Sequence, residues 1–105
     1  LAQESRNYLL GVMERTVTGK RRIKAGLPEY ARIAHKTGSL NNTSSDVGIV
    51  HLPDGRAVAL AIYVTGQGGK LNRETRIAEI ARTLYEGYQS QGPGQQGMHL
   101  MAASR

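Results

Sequence analysis

Residues 46–64 read DVGIVHLPDGRAVALAIYV, two apolar runs joined by a turn whose chemistry is explicit. Pro53 presets φ at the turn, Asp54 can bond the backbone ahead of it, and Gly55 accepts a positive φ. The two runs therefore fold back on each other as an antiparallel pair. The outgoing arm, residues 57–64, is apolar at every position, the pattern of a strand covered on both faces. Upstream, residues 32–39 (RIAHKTGS) place Ile33 and His35 on one strand face and Ala34 and Lys36 on the other. The polar stretch LNNTSS at 40–45 is suited to a hairpin connection, so these segments form a three-stranded antiparallel meander.

Helices flank the meander. From Gln3 to Val17 the apolar residues Leu9, Val12, Met13 and Val17 recur at helical spacing, and Thr18-Gly19 supplies a stop. The next segment, KRRIKAGLPEY, is a connector, basic at its start and interrupted by Gly26 and Pro28. After the meander GQGGK breaks the chain. Asn72 is the expected N-cap of a second helix, Glu74 suits the positive end of its dipole, and Ile77, Ile80, Ala81, Leu84 and Tyr88 mark its buried stripe. Residues 89–105, rich in Gln and Gly, read as a flexible, solvated tail.

The fold class is thus α/β in the broad sense, an α+β fragment: helix, three-stranded antiparallel meander, C-terminal helix. Residues 1–88 form the folded part and 89–105 the tail. Both helices are expected on one sheet face. Other protein is expected to cover the opposite face and the outer edge of the third strand.

The chain has 105 residues, room for one domain, with 39% hydrophobic and 21% charged residues. No apolar run approaches the ~18–20 residues of a membrane span, so no membrane partner is expected. There is no cysteine, which removes disulfides, Cys-ligated zinc and a thiol nucleophile together. The net charge of +6 could serve nucleic acid, but no aromatic interleaves with the basic run, so no nucleic-acid partner is expected. His35, His51 and His99 are scattered without carboxylates at ligand spacing, so no metal site is expected. His35 points away from the Lys36 face and reads as a packing or hydrogen-bonding residue. The opening LAQESRNYLL has neither a basic n-region nor an h-region, and reads as an internal stretch of a longer protein.

Lys36-Thr37-Gly38-Ser39 carries the chemistry. An ammonium and a hydroxyl at a strand edge suit a carboxylate, and Gly38 lets a ligand approach the backbone. The edge itself can hold a peptide-like ligand as an added strand.

In context the run TGKRRIKAGLPEYARIAHKTGS, followed by SSDVGIVHLPDGRAVALAIYVTG and an amphipathic helix, resembles the C-terminal part of class A serine β-lactamases. IKAGLP is similar to that family's IRAGLP segment, and Lys36-Thr37-Gly38 matches its K-T-G strand. The resemblance covers residues 5–88. It implies part of the β-lactamase/penicillin-binding-protein sandwich and hydrolysis of a β-lactam amide through an acyl-serine intermediate, with no cofactor. By the same resemblance Lys36 and Ser39 are the catalytic residues. Lys36 and Thr37 would bind the substrate carboxylate, Ser39 N–H would be an oxyanion donor, and Ser39 C=O would take the substrate amide. Arg22 would supply the carboxylate charge that Ser44 or Ser45 cannot.

The family's S-x-x-K nucleophile, S-D-N loop and deacylating Glu have no match here, and no serine of the chain shows S-x-x-K spacing. The chain is therefore expected to hold half a site, to be inactive alone, and to need the missing helical part as its partner, with a β-lactam as the small-molecule ligand. A D-Ala-D-Ala carboxypeptidase or transpeptidase, or a β-lactam sensor, is the alternative within the superfamily. The resemblance implies a periplasmic or secreted parent protein.

Overall fold

The computed structural model describes residues 2–16, 18–91 and 98–103. Helix α1 (Gln3–Glu14) leads through a single 3-10 turn (Ile23–Gly26) to the meander β1 (Arg32–Leu40), β2 (Thr43–His51) and β3 (Ala57–Thr65). Helix α2 (Lys70–Ser90) and strand β4 (Met98–Ala103) follow. The sheet order is β1-β2-β3-β4. The first three strands are antiparallel, with Lys36 opposite Val47 and Val47 opposite Ala61, while β4 runs parallel to β3.

The meander and both helices agree with the sequence reading, and the differences have local causes. The 40–45 connection shrinks to Asn41-Asn42, where Asn42 adopts φ 62°, a left-handed conformation that asparagine tolerates. Ser44 is pulled into β2 because its buried hydroxyl accepts from Arg73 Nε at 3.0 Å. Helix α2 begins two residues before Asn72, whose side-chain amide instead donates back to Gln67 O at 2.9 Å.

Along β2 and β3 burial alternates. Ser44, Asp46 and Val50, with Val58, Leu60, Ile62 and Val64, face the core under α2. Ala59 and Ala61 are only half-buried and Tyr63 is exposed, so this chain covers one face of β3, not both. Ile33 of β1, Leu52 just after β2, Ile77, Ala81, Tyr85 and Tyr88 of α2 and Ile23 of the connector complete the core. At roughly 1.5–3 kcal/mol for each large apolar side chain, this layer is the main source of stability. The connector lies against α2: a Cβ on Gly26 would stand 2.1 Å from Ala78 O. Arg56, buried, donates through Nη2 to Tyr88 O at 2.7 Å and Gln91 O at 3.0 Å, which satisfies carbonyls at the α2 C-terminus.

Helix α1 is the exception to the expected layering. It packs on β1, buries none of its residues and contributes nothing to the core, so α2 and the connector alone cover the core face. An exposed ion pair, Arg32 Nη2 to Glu14 Oε2 at 2.9 Å, adds a polar link to the sheet.

The expected tail is corrected in part. Residues 98–103 are a strand, and the β3 edge predicted to lack a partner within the chain is paired by them, Leu60 opposite His99. An unpaired apolar strand offers a row of free N–H and C=O groups, and the short run MHLMAA can satisfy them despite the polar composition around it. Residues 92–97 and 104–105 lie outside the described residues.

Candidate functional site

Strand β1 forms one edge of the sheet, and the Lys36-Thr37-Gly38-Ser39 run lies toward its end. Lys36 and Ser39 are exposed, and Thr37 and Gly38 half-buried. Alternation puts Thr37 on the same face as buried His35 and puts Lys36 on the other. The Lys36 ammonium folds back to donate to Thr37 O at 2.8 Å, an exposed bond that a ligand can replace. Gly38 faces Ser45 on the neighbouring strand: a Cβ there would lie 2.7 Å from Ser45 Oγ. Glycine at this position therefore serves strand packing as well as any ligand.

Beneath this edge lies a buried polar layer. Arg22 is 3% exposed. Its Nε donates to Glu74 Oε2 at 3.0 Å, its Nη1 to Gly38 O at 2.8 Å and Ser45 O at 2.7 Å, and its Nη2 to Ser39 Oγ at 2.9 Å. Four of the five N–H donors an arginine carries are thus engaged within the chain. Arg22 does not stand free at the surface to grip a ligand carboxylate, as the sequence reading expected. It ties α2 to the β1–β2 pair instead, and places a cation directly behind the edge that presents Lys36 and Ser39.

Two more groups extend the layer. His35 Nδ1 lies 3.0 Å from each carboxylate oxygen of Asp46, with both side chains essentially fully buried, and Ile23 N–H donates to Asp46 Oδ2 at 3.1 Å. His35 is therefore a structural hydrogen-bonding residue facing away from Lys36. Arg73 joins Ser44 Oγ to Gly66 O, at 3.0 and 3.2 Å. Buried charges need partners of this kind, since an unpaired one costs several kcal/mol, on the order of 3–5.

Sequence reasoning brought together Lys36, Thr37, Gly38 and Ser39 because they are consecutive. It placed Arg22 near them by resemblance. It missed Glu74, read there only as a dipole partner, together with the supporting roles of Ser45, Asp46 and Arg73. A charged residue four positions after a helix start carries no mark of the strand it will meet. The one available signal is that Glu74 sits one turn before Ile77 and so leans toward the buried stripe. Among the described residues no three His, Cys, Asp or Glu side chains converge as metal ligands.

Comparison with known proteins bears on the whole arrangement. Residues 1–88 match the model of the β-lactamase enzyme family. The chain is 31% identical over 96 residues to β-lactamase VEB-1 of Pseudomonas aeruginosa, spanning 84% of this chain and 32% of that one. It is 35% identical over 94 residues to the extended-spectrum β-lactamase PER-1 of the same organism, spanning 82% and 30%. The solved structure of the TLA-1 extended-spectrum β-lactamase superposes with a TM-score of 0.77 at 36% identity, over 86% of this chain and 36% of that one. The chain thus spans about a third of the length of the relatives it matches. The chain belongs to the β-lactamase enzyme family, among the class A enzymes.

Proposed function

We propose that this segment supplies the carboxylate-anchoring edge and one oxyanion donor of a serine β-lactamase site, and that another part of the same protein supplies the nucleophile. The observation that carries the reading is an exposed Lys36 beside a strand end held from behind by the buried Arg22 network. Lys36 releases Thr37 O and turns to the substrate carboxylate, with the Thr37 hydroxyl as second donor. Ser39 N–H faces the oxygen that becomes negative when the serine attacks the β-lactam carbonyl, and such a donor contributes about 3–4 kcal/mol in the transition state. The ring C–N bond then breaks, the nitrogen takes a proton, and water cleaves the acyl ester. Arg22 is a positioning residue here: it fixes Gly38 O and Ser39 Oγ and adds positive potential without touching substrate.

The test is turnover of a chromogenic cephalosporin. The isolated chain is expected to show none, while the protein that also carries the nucleophile hydrolyses it. In that protein Lys36→Ala is expected to lower kcat/KM by roughly ten- to a hundredfold, the worth of one charge-assisted hydrogen bond. An unchanged kcat/KM would remove Lys36 from the site. Acylation that stops without release would instead mark a β-lactam sensor or a transpeptidase.

A further inference from the structure

The connector meets the Lys36 edge at Thr37. Gly19, at φ 75°, packs on that residue: a Cβ there would collide with Thr37 Cγ2 and lie 3.3 Å from His35 Cε1. Three residues on, the Arg22 N–H donates to Gly19 O at 3.0 Å and closes a tight turn. The Arg22 side chain is buried against Gly38 O and Ser39 Oγ. Both ends of the turn are therefore anchored on residues 37–39, and its two central residues, Lys20 and Arg21, are exposed.

No carboxylate pairs with Lys20 or Arg21 among the described residues, whereas Arg22, Arg32, Arg56, Arg76 and Arg82 are all in ion pairs. Between Arg15 and Ser45 the one acidic residue is Glu29, which precedes β1, at the end of the strand away from the Lys36-Thr37-Gly38-Ser39 run. Asp46, the next acid in sequence, is buried against His35 and the Ile23 N–H, and Glu74, beneath the edge, is held by Arg22. Lys36 adds a third exposed cation. Strand alternation starts its side chain on the face away from that of Thr37, but its ammonium returns to Thr37 O at 2.8 Å. The ammonium and the Lys20-Arg21 turn thus flank the same residue. Cations gathered along one edge raise its potential, and that potential draws anions to it.

We propose that the Lys20-Arg21 turn is a second anion subsite beside the Lys36 edge, and that the two together select ligands carrying two negative groups. The inference rests on the reading of Lys36 and Thr37 as a carboxylate anchor and extends it to a substrate class, β-lactams with a carboxylate or sulfonate besides the ring carboxylate. The first negative group is taken by Lys36 and Thr37. The second lies across Gly19 from Thr37 and meets Lys20 and Arg21. Gly19 permits this approach, since a side chain there would push the turn off Thr37.

The experiment titrates isophthalate, a dianion, into the full-length ¹⁵N-labelled chain, with singly charged benzoate as the control. Saturable amide shifts are expected at Gly19, Lys20 and Arg21 together with Thr37, Gly38 and Ser39, and isophthalate is expected to bind about five- to tenfold more tightly than benzoate. Lys20→Gln with Arg21→Gln should bring isophthalate down to the affinity of benzoate, about two- to fivefold for each exposed cation, without moving the denaturation midpoint. Sodium chloride at about 1 M, which screens charges beyond ~3 Å, should remove the preference. Equal affinity for the two ligands at low salt, or an isophthalate affinity unchanged in the double variant, would overturn the proposal. Lys36→Ala separates it from the reading on which it rests. If Lys36→Ala weakens both ligands while the double variant changes neither, the anchor stands and the subsite falls. If the double variant weakens isophthalate while Lys36→Ala changes neither, the turn is supported as an anion subsite and the anchor falls.

Discussion

Arg22 shows how a residue can brace a strand edge from behind without standing at the surface itself. The same guanidinium that a sequence reader assigns to a substrate carboxylate is, in the folded chain, shared among a carboxylate, two carbonyls and a hydroxyl. A planar fork can hold four acceptors in fixed directions, which an ammonium cannot. Arg22→Ala would leave the Glu74 carboxylate buried without its cation and two carbonyls short of a donor, so a loss of about 3–5 kcal/mol is expected in urea unfolding. Arg22→Lys should recover only part of it. A loss below ~1 kcal/mol would mean that water replaces the guanidinium at no cost. The consecutive residues 36–39 were legible because their chemistry and their neighbourhood are both local. Glu74 was not, because its partner lies 52 positions away in sequence.

Among the elements, the connector is the one whose structure depends most on another. Residues 20–30 show no periodicity, yet Ile23 is fully buried and Gly26 sits on the backbone of α2. A methyl group at Gly26 would meet Ala78 O at 2.1 Å and Arg82 N at 2.9 Å, both main-chain atoms that cannot turn aside. Gly26→Ala is therefore expected to lift the connector from α2 and cost at least the 1–3 kcal/mol typical of overpacking, read from the shift in the urea midpoint. Gly87, with open space around its Cα, is the control: Gly87→Ala should be neutral or stabilising. Strand and helix identities were readable from periodicity because burial imposes it. Strand β4 was not, since a run of six residues within a polar segment becomes a strand only when an edge is there to pair with.

At the scale of the molecule, apolar surface is left where this chain has nothing to cover it. On α1, Tyr8 is 70%, Leu9 49% and Val12 44% exposed, and Tyr63 on the uncovered sheet face is 43% exposed. A helix of this kind gains its stability from a packed apolar face, which α1 lacks. The isolated chain is therefore expected to self-associate through this surface. Leu9→Gln with Val12→Gln should lower the sedimentation coefficient toward that of a monomer without lowering the denaturation midpoint, because neither residue is in the core. An unchanged association state would place the contact elsewhere, on the sheet face around Tyr63.

What the sequence by itself determined is what local physics dictates. The Pro53-Asp54-Gly55 turn fixes a hairpin, the spacing of Ile77, Ala81 and Leu84 fixes a helix, and the Lys36-Thr37-Gly38-Ser39 run sets an ammonium and two hydroxyls side by side on one strand. The tertiary structure decided everything that depends on groups distant in sequence. It turned Arg22 inward to Glu74, set His35 against Asp46, gave the β3 edge to residues 98–103 and left the Tyr85 hydroxyl without a partner. The physical reason is that a turn or an amphipathic stripe is imposed by neighbours along the chain. A buried donor is satisfied by whatever acceptor the fold carries to within about 3 Å of it, and the order of residues does not encode that distance.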